Sequence, residues 1–239
     1  MRLHPAFFDS GESGLLVDFG TPDDRQQSLS ILQISKALQA SVLPGLKEII
    51  PALSSLTILY DPFTLSRSRL VEEILRCCER SSEFVPSARH WDVPVIYGGE
   101  GGPDLKDVAM CAGMSEEEVI ALHAGRSYHV YMLGFLPGFA YLGDLPKELQ
   151  LPRRATPRAR VPAGSVAIAS AMTAIYPLES PGGWHIIGHT PVNPWDLHRR
   201  KEPLFQAGDQ VSFTPVTPEN AAQIDGIAKR FDLTDGTAS

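Results

Sequence analysis

The chain has 239 residues, with Lys+Arg 21 against Asp+Glu 28, a formal net charge of −7 and a sequence pI near 5.5. That balance argues against nucleic acid as a partner, because duplex affinity rests on many cationic contacts. Hydrophobic residues at 43% and charged residues at 21% exclude a disordered or fibrous chain and describe a soluble folded one.

The length exceeds the usual single-domain size of about 100–150 residues, so two compact domains or one large β-rich domain are expected. The N-terminal MRLHPAFFDSGESG has no continuous apolar run, and no stretch approaches the roughly 18 apolar residues of a membrane span. A cytoplasmic protein with no membrane partner is the expectation. Cys77, Cys78 and Cys111 fit neither a disulfide framework nor a CxxC motif, and read as packing residues.

In chain order, GLLVDFG (14–20) reads as a strand, and Pro22-Asp23-Asp24 opens a helix running to about Ala40, with Leu29, Leu32, Ile34 and Leu38 on its buried face. SLTILYD (55–61) is the next strand and SRSRLVEEILRCCERS (66–81) the next helix, its apolar face formed by Leu70, Ile74, Cys77 and Cys78. Strands interleaved with two helices predict an α+β sandwich. At 81–95, serines, two prolines and a Trp replace the helical pattern, which predicts a linker and a boundary near 88: domains 1–87 and 88–239.

The second part opens with a strand, the Gly-rich YGGEGGPD (97–104) and a helix begun by Pro103 and Asp104. A second helix follows at 114–125, where Ser115 and Glu118 form a capping-box pattern and Gly125 suits the exit. YHVYMLGF, SVAIAS, HIIGH and QVSFTPV are then short β-rich runs between Pro and Gly clusters, the punctuation of a barrel or sandwich. The tail DLTDGTAS is polar and expected to fray.

Residues 97–104 contain neither G-x-x-x-x-G-K-[ST] nor a strict G-x-G-x-x-G, so a tight turn is favoured over a phosphate loop. No H-E-x-x-H occurs, and His185 and His189 fall four apart in a strand, too far separated to share a metal; no metal site is expected. G-x-S-x-G is also absent. The sequence is distinctive at RRATPRARVPAG, where Arg153, Arg154, Arg158 and Arg160 are set among Pro152, Pro157 and Pro162 with no acidic residue. Arginine forks take carboxylate or phosphate in paired bonds, and proline lowers the ordering cost of binding. An anionic small molecule is the expected ligand, against the alternative of a solvated loop paired with surface carboxylates. In YPLESPGGWHIIGHTP (176–191), Glu179 is a candidate general base if burial raises its pKa, and Gly182 and Gly183 would let a ligand approach backbone N–H groups. A plain turn with Trp184 in the core fits the same residues.

LGFLPGFAYLGDLP, PRRATPRARVPAGSVAIA, YPLESPGGWHIIGHTP and AGDQVSFTP together resemble the motif series of the bacterial PxpB/KipI family, also called allophanate hydrolase subunit 1. The resemblance extends upstream through VPVIYGGEGGPDLKDVA and IALHAGRSYHVYMLGF and covers most of the chain. It implies an N-terminal ferredoxin-like domain and a C-terminal cyclophilin-like β-barrel. It also implies the B-type component of an ATP-dependent 5-oxoprolinase that hydrolyses 5-oxoproline to glutamate together with a PxpC-like subunit and a PxpA-like protein, with ATP used by the complex and not necessarily bound by this chain. Two alternatives travel with it: a KipI-like inhibitor of a histidine kinase, and a subunit of a urea- or allophanate-type carboxylase or hydrolase. Carried over by position, the resemblance assigns Glu179, His123 and Tyr176 to catalysis. It assigns Arg153, Arg154, Arg158, Arg160, Phe139, Tyr141 and Trp184 to substrate binding, beside Gly182 and Gly183 as read from the turn. His189 stands where the family more usually has Arg, and a neutral imidazole offers one donor in place of five.

Overall fold

A computed structural model describes residues 5–21, 25–80, 88–196 and 202–224. The chain divides into two compact units, Met1–Ser87 and Ala88–Ser239. The helix start at 22–24, residues 81–87 of the predicted linker and the polar tail lie outside the described residues.

The first unit runs β1 (Ala6–Ser10), β2 (Gly14–Asp18), α1 (Arg25–Ala40), β3 (Leu46–Pro51), β4 (Ser55–Tyr60) and α2 (Arg67–Arg80). Its strands form one antiparallel sheet in the order β1-β2-β4-β3. Alternation does the sorting: Leu15 and Val17 of β2 and Leu56, Ile58 and Tyr60 of β4 are buried, each two residues from the next and so on one sheet face. Helical period brings Ile31, Ile34 and Leu38 of α1 and Leu70, Ile74 and Cys77 of α2 into the same core. The element order is ββαββα, whereas a ferredoxin-like domain runs βαββαβ; an outer strand comes first in this chain. That strand, in the polar segment AFFDSGESG, and β3, LKEIIP, lack clean alternation, so sequence pattern did not predict them.

The second unit contains β5 (His90–Tyr97), α3 (Leu105–Ala112), α4 (Glu116–Ala124), β6 (Ser127–Leu133), β7 (Ala140–Gly143), β8 (Arg158–Val161), β9 (Ser165–Ala169), β10 (Met172–Ile175), β11 (Ser180–Gly182), β12 (His185–His189), β13 (Gln210–Pro215) and α5 (Pro218–Ile224). Seven of the strands close a barrel in the order β10-β7-β6-β13-β5-β12-β9, and β8 pairs with β11 as a separate ribbon. The predicted linker continued to residue 95, but β5 begins at His90: Trp91 and Pro94 belong to a barrel strand that pairs in parallel with β13, from Gln210↔His90 to Pro215↔Val95.

Asp209, 1% exposed, fastens the starting end of that pair. It accepts from the Arg89 backbone N–H, the Arg89 guanidinium and Trp91 Nε1. Val95, Tyr128, Val130, Leu142, Val166, Ile175, Ile187 and Phe213 fill the interior with α3 and α4 side chains. Helix α4 starts with the expected capping box: Ser115 N–H donates to Glu118 Oε2 (2.8 Å) and Glu118 N–H to Ser115 Oγ (3.2 Å). Residues 98–102 form a tight turn, with Gly102 N–H donating to Gly98 O at 2.8 Å. Among the described residues no helix is long and apolar enough to cross a membrane.

Candidate functional site

An open cavity of about 250 Å³ lies in the second unit, walled by Phe139, Tyr141, Tyr176 and Trp184, with Phe135, Arg153, Pro157, Pro181, Gly182 and Gly183 completing it. Phe139 is its hub. It is 1% exposed and meets Tyr141, Tyr176 and Trp184 edge-on at ring separations of 4.9, 5.2 and 5.9 Å, the arrangement aromatic quadrupoles favour. Strand β7 and the loop before it supply Phe139 and Tyr141, the end of β10 leads into Tyr176, and Trp184 lies just beyond the end of β11. Trp184 is therefore both a core residue and a cavity wall.

Burial pushes the Tyr141 and Tyr176 phenols above their ordinary range, although the Arg153 charge pulls both back. Both remain protonated near neutral pH, although the Trp184 backbone N–H also draws the Tyr176 pKa down. At Gly182 a Cβ would collide with the Tyr176 hydroxyl, so only glycine lets this wall stand flat against the phenol.

The arginine strip separates into three situations. Arg154 Nη1 donates to Asp104 Oδ1 at 2.8 Å, and Arg158 grips the same carboxylate with both terminal nitrogens, at 2.8 and 2.7 Å. The Ile186 backbone N–H adds a fourth bond to Asp104, at 2.7 Å. Burial alone would raise the Asp104 pKa, but the Arg158 and Ile186 hydrogen bonds and the charges of Arg158 and Arg154 hold it below the usual carboxylate range. Asp104 precedes α3 yet makes no side-chain cap bond, because its oxygens are directed to these partners. Arg160 forks onto Glu179 at 3.0 and 2.8 Å, with both side chains largely exposed. Arg153 is exposed, and its side chain makes no ion pair among the described residues. Two carboxylates therefore answer three of the four arginines, and the fourth faces the aromatic cavity.

Two expected catalytic groups stand elsewhere. Glu179 is not a buried base: it is on the surface, and the Arg160 hydrogen bond lowers its pKa, the opposite of the shift a general base near neutrality needs. His123 is 0% exposed, stacked on Phe213 at 4.7 Å inside the barrel, and does not line the cavity. Thr173 Oγ1 donates to Ala167 O (3.1 Å), so it accepts from His123 Nε2–H (2.9 Å), and His123 Nδ1 accepts from the Tyr97 hydroxyl (2.7 Å). Both ring nitrogens are satisfied by a neutral imidazole, and burial pushes its pKa down to about 3.

Of the expected residues, the cavity gathers Phe139, Tyr141, Arg153, Tyr176, Gly182, Gly183 and Trp184. It does not gather Arg154, Arg158, Arg160, Glu179 or His123. Sequence reasoning missed Asp104 as an arginine anchor, since Pro-Asp before a helix reads as a cap. It also missed Phe135, which is 60% exposed with a left-handed φ of 66°, a conformation uncommon for a bulky side chain.

Residues 5–205 match the family model for the carboxyltransferase domain, subdomain C and D. The chain is 41% identical over 206 residues to the B-type component of 5-oxoprolinase from Escherichia coli O157:H7, covering 86% of this chain and 93% of that protein. It is 37% identical over 223 residues to the corresponding 5-oxoprolinase component of Bacillus subtilis, covering 88% and 92%. Among solved structures, TTHA0988 superposes with a TM-score of 0.74 at 40% identity over 85% of this chain, which spans 40% of that longer chain. The Kluyveromyces lactis urea carboxylase superposes with a TM-score of 0.72 at 18% identity over 92% of this chain and 22% of its own, a likeness of fold. With identities of this level across nearly the whole of the curated relatives, the chain belongs to the PxpB/KipI family, within the carboxyltransferase subdomain C and D proteins.

Proposed function

We propose that this chain is the B-type component of an ATP-dependent 5-oxoprolinase that hydrolyses 5-oxoproline to glutamate, acting with a PxpC-like subunit and a PxpA-like protein in the cytoplasm. The observation that carries the reading is the aromatic cavity with Arg153 at its edge. 5-Oxoproline is a flat lactam ring bearing one carboxylate. Aromatic walls bury the ring, and a guanidinium whose fork is not taken by a protein carboxylate receives the acid in paired bonds. The protonated Tyr176 and Tyr141 supply polar contacts at the wall. ATP supplies activation of the amide oxygen by phosphorylation, which is the work of the assembled complex. The barrel is read as cyclophilin-like and the first unit as a ferredoxin-like domain with its outer strand moved to the front of the chain.

A second reading keeps the fold and changes the substrate to a urea-type amide, and the carboxyltransferase description of the matching family favours it. One assay separates the two. The chain, alone and co-purified with the product of the adjacent reading frame, is tested for ATP-dependent glutamate release from 5-oxoproline and for ATP turnover with urea. Glutamate release only by the co-purified complex supports the first reading. Turnover by the isolated chain rejects the role of a dependent component.

A further inference from the structure

The β8–β11 ribbon has a second cavity on its other side. Val161 of β8 packs with Phe139, Tyr176 and Trp184, whereas Arg158, Arg160 and Pro162 line a separate cleft of about 150 Å³ with Ser165, His189 and Glu100, Arg160 and Pro162 alternating with Val161 along the chain. Ser165 and His189 face each other across the β9–β12 ladder, which sets their side chains next to one another on one face. Ser165 is 2% exposed and lines the cleft. His189 Nε2 lies 3.2 Å from Ala163 O, so that nitrogen carries the proton and donates. A Cβ at Gly164, where φ is 79°, would sit 2.6 Å from His189 Nε2, so the imidazole is held where only glycine leaves it room.

Arg158 and Arg160 each direct two N–H groups to a carboxylate, Asp104 and Glu179. Of the five donors on a guanidinium, three remain on each. Donors from β8 and β9 therefore converge on a space smaller than the roughly 300 Å³ at which pockets for ordinary small molecules begin, with the His189 ring of β12 on its wall.

We infer that this cleft is a subsite for a phosphate-class oxyanion, bound by the remaining N–H groups of Arg158 and Arg160 and by the Ser165 hydroxyl, with His189 beside them. Donors arriving from two strands suit a tetrahedral group better than a planar carboxylate, which one fork satisfies. Glu100 on the rim weakens the site for a dianion. The inference goes beyond the 5-oxoprolinase reading and does not depend on it. The anion is either inorganic phosphate or a phosphoryl group carried by a nucleotide.

The test is calorimetric titration of the full chain with inorganic phosphate and with ADP in low-salt buffer. Neither needs a partner or turnover, so failure of the glutamate assay leaves this result intact. Saturable phosphate binding is expected, weakened about tenfold in Arg160→Ala and Ser165→Ala, tightened in Glu100→Gln, and unchanged in Lys106→Ala, a nearby exposed cation outside the cleft. Arg160 is largely exposed, so its variant reads binding without loss of fold. ADP competing more tightly than phosphate at the same residues supports the site and assigns a nucleotide source; phosphate alone supports it and assigns a small phosphoryl group. No saturable binding of either, or equal losses in Lys106→Ala and Arg160→Ala, overturns the inference.

Discussion

Arg158 and Asp104 meet fork to fork, Nη1 to Oδ2 at 2.8 Å and Nη2 to Oδ1 at 2.7 Å, and this contact ties β8 to the start of α3 and, through the Ile186 N–H, to β12. The Asp104 side chain is 3% exposed while Arg158 keeps 26% and Arg154 30%, so the carboxylate is desolvated and the cations only partly so. Removing the anion leaves two guanidiniums and a buried N–H without their acceptor. Asp104→Ala should destabilise residues 88–239 by about 2–4 kcal/mol, a little under the cost of breaking a fully buried pair. Arg158→Ala should cost less, because Arg154 still pairs with the carboxylate. Urea unfolding of both variants measures this, and equal costs would contradict it.

The same carboxylate gives an acid dependence of fixed sign. Its folded pKa is depressed, so its contribution is fully present above the unfolded value of about 3.9 and is lost as pH falls through the folded value. Asp104→Asn should therefore flatten the stability profile below about pH 4 and leave its slope at neutral pH unchanged. Denaturant midpoints of the variant and the parent chain, compared across the acid range, check this.

Arg153 and Arg154 are neighbours in sequence with different partners, and substitution should separate them. Arg153→Lys keeps a charge at the aromatic cavity but loses the fork, and should weaken binding of a ring-bearing carboxylate by about 1–3 kcal/mol while leaving thermal stability unchanged. Arg154→Lys should act on stability through Asp104, with substrate affinity retained. Titration with 5-oxoproline in the assembled complex, beside thermal unfolding of the free chain, reads both effects.

Much of this was legible in the sequence, and what was not has a physical cause. The two helices of the first unit, the capping box of α4 and the strands β2, β4, β9 and β12 follow from periodicity and turn residues, which are local. The pocket aromatics Phe139, Tyr141, Tyr176 and Trp184 were reached through motif resemblance, whereas periodicity offered no reason to place them together, since contacts between residues so far apart in the chain leave no local signal. The division of labour among the arginines was illegible for the same reason: Asp104 is 50 and 54 residues from its two partners. His123 was assigned to catalysis through motif resemblance, and nothing nearby in the sequence announces that Tyr97 and Thr173 complete its bonds inside the barrel.

Residues 88–239 should fold alone. The barrel closes with strands entirely from this segment, and the pair β5–β13 that joins its two ends is fastened by Arg89 and Trp91 on Asp209. A fragment beginning at residue 88 keeps all three, and should unfold in one cooperative thermal transition; a fragment beginning at 92 loses Arg89 and Trp91 and should be markedly less stable. A broad, non-cooperative melt of the 88–239 fragment would count against the boundary.

His123 provides a pH effect that tells a core histidine from a catalytic one. Its folded pKa lies near 3 against an unfolded value of about 6.5. The unfolded chain therefore binds a proton that the folded chain refuses once the pH drops below that unfolded value. Stability from this residue is complete above about pH 6.5 and declines toward pH 3, with a limiting slope of about 1.4 kcal/mol per pH unit. His123→Gln removes the titration while retaining a donor and an acceptor for Thr173 and Tyr97, so its stability at neutral pH should fall and its slope between about pH 6.5 and 5 should flatten. In the assembled complex the same variant should leave the pH profile of glutamate release unshifted, because a ring sealed between Phe213 and Tyr128 neither meets substrate nor exchanges a proton in the working range. Denaturant midpoints measured at intervals across that window, beside the pH dependence of kcat, decide the matter. A variant with wild-type pH dependence of unfolding and a displaced kcat profile would return His123 to the catalytic machinery.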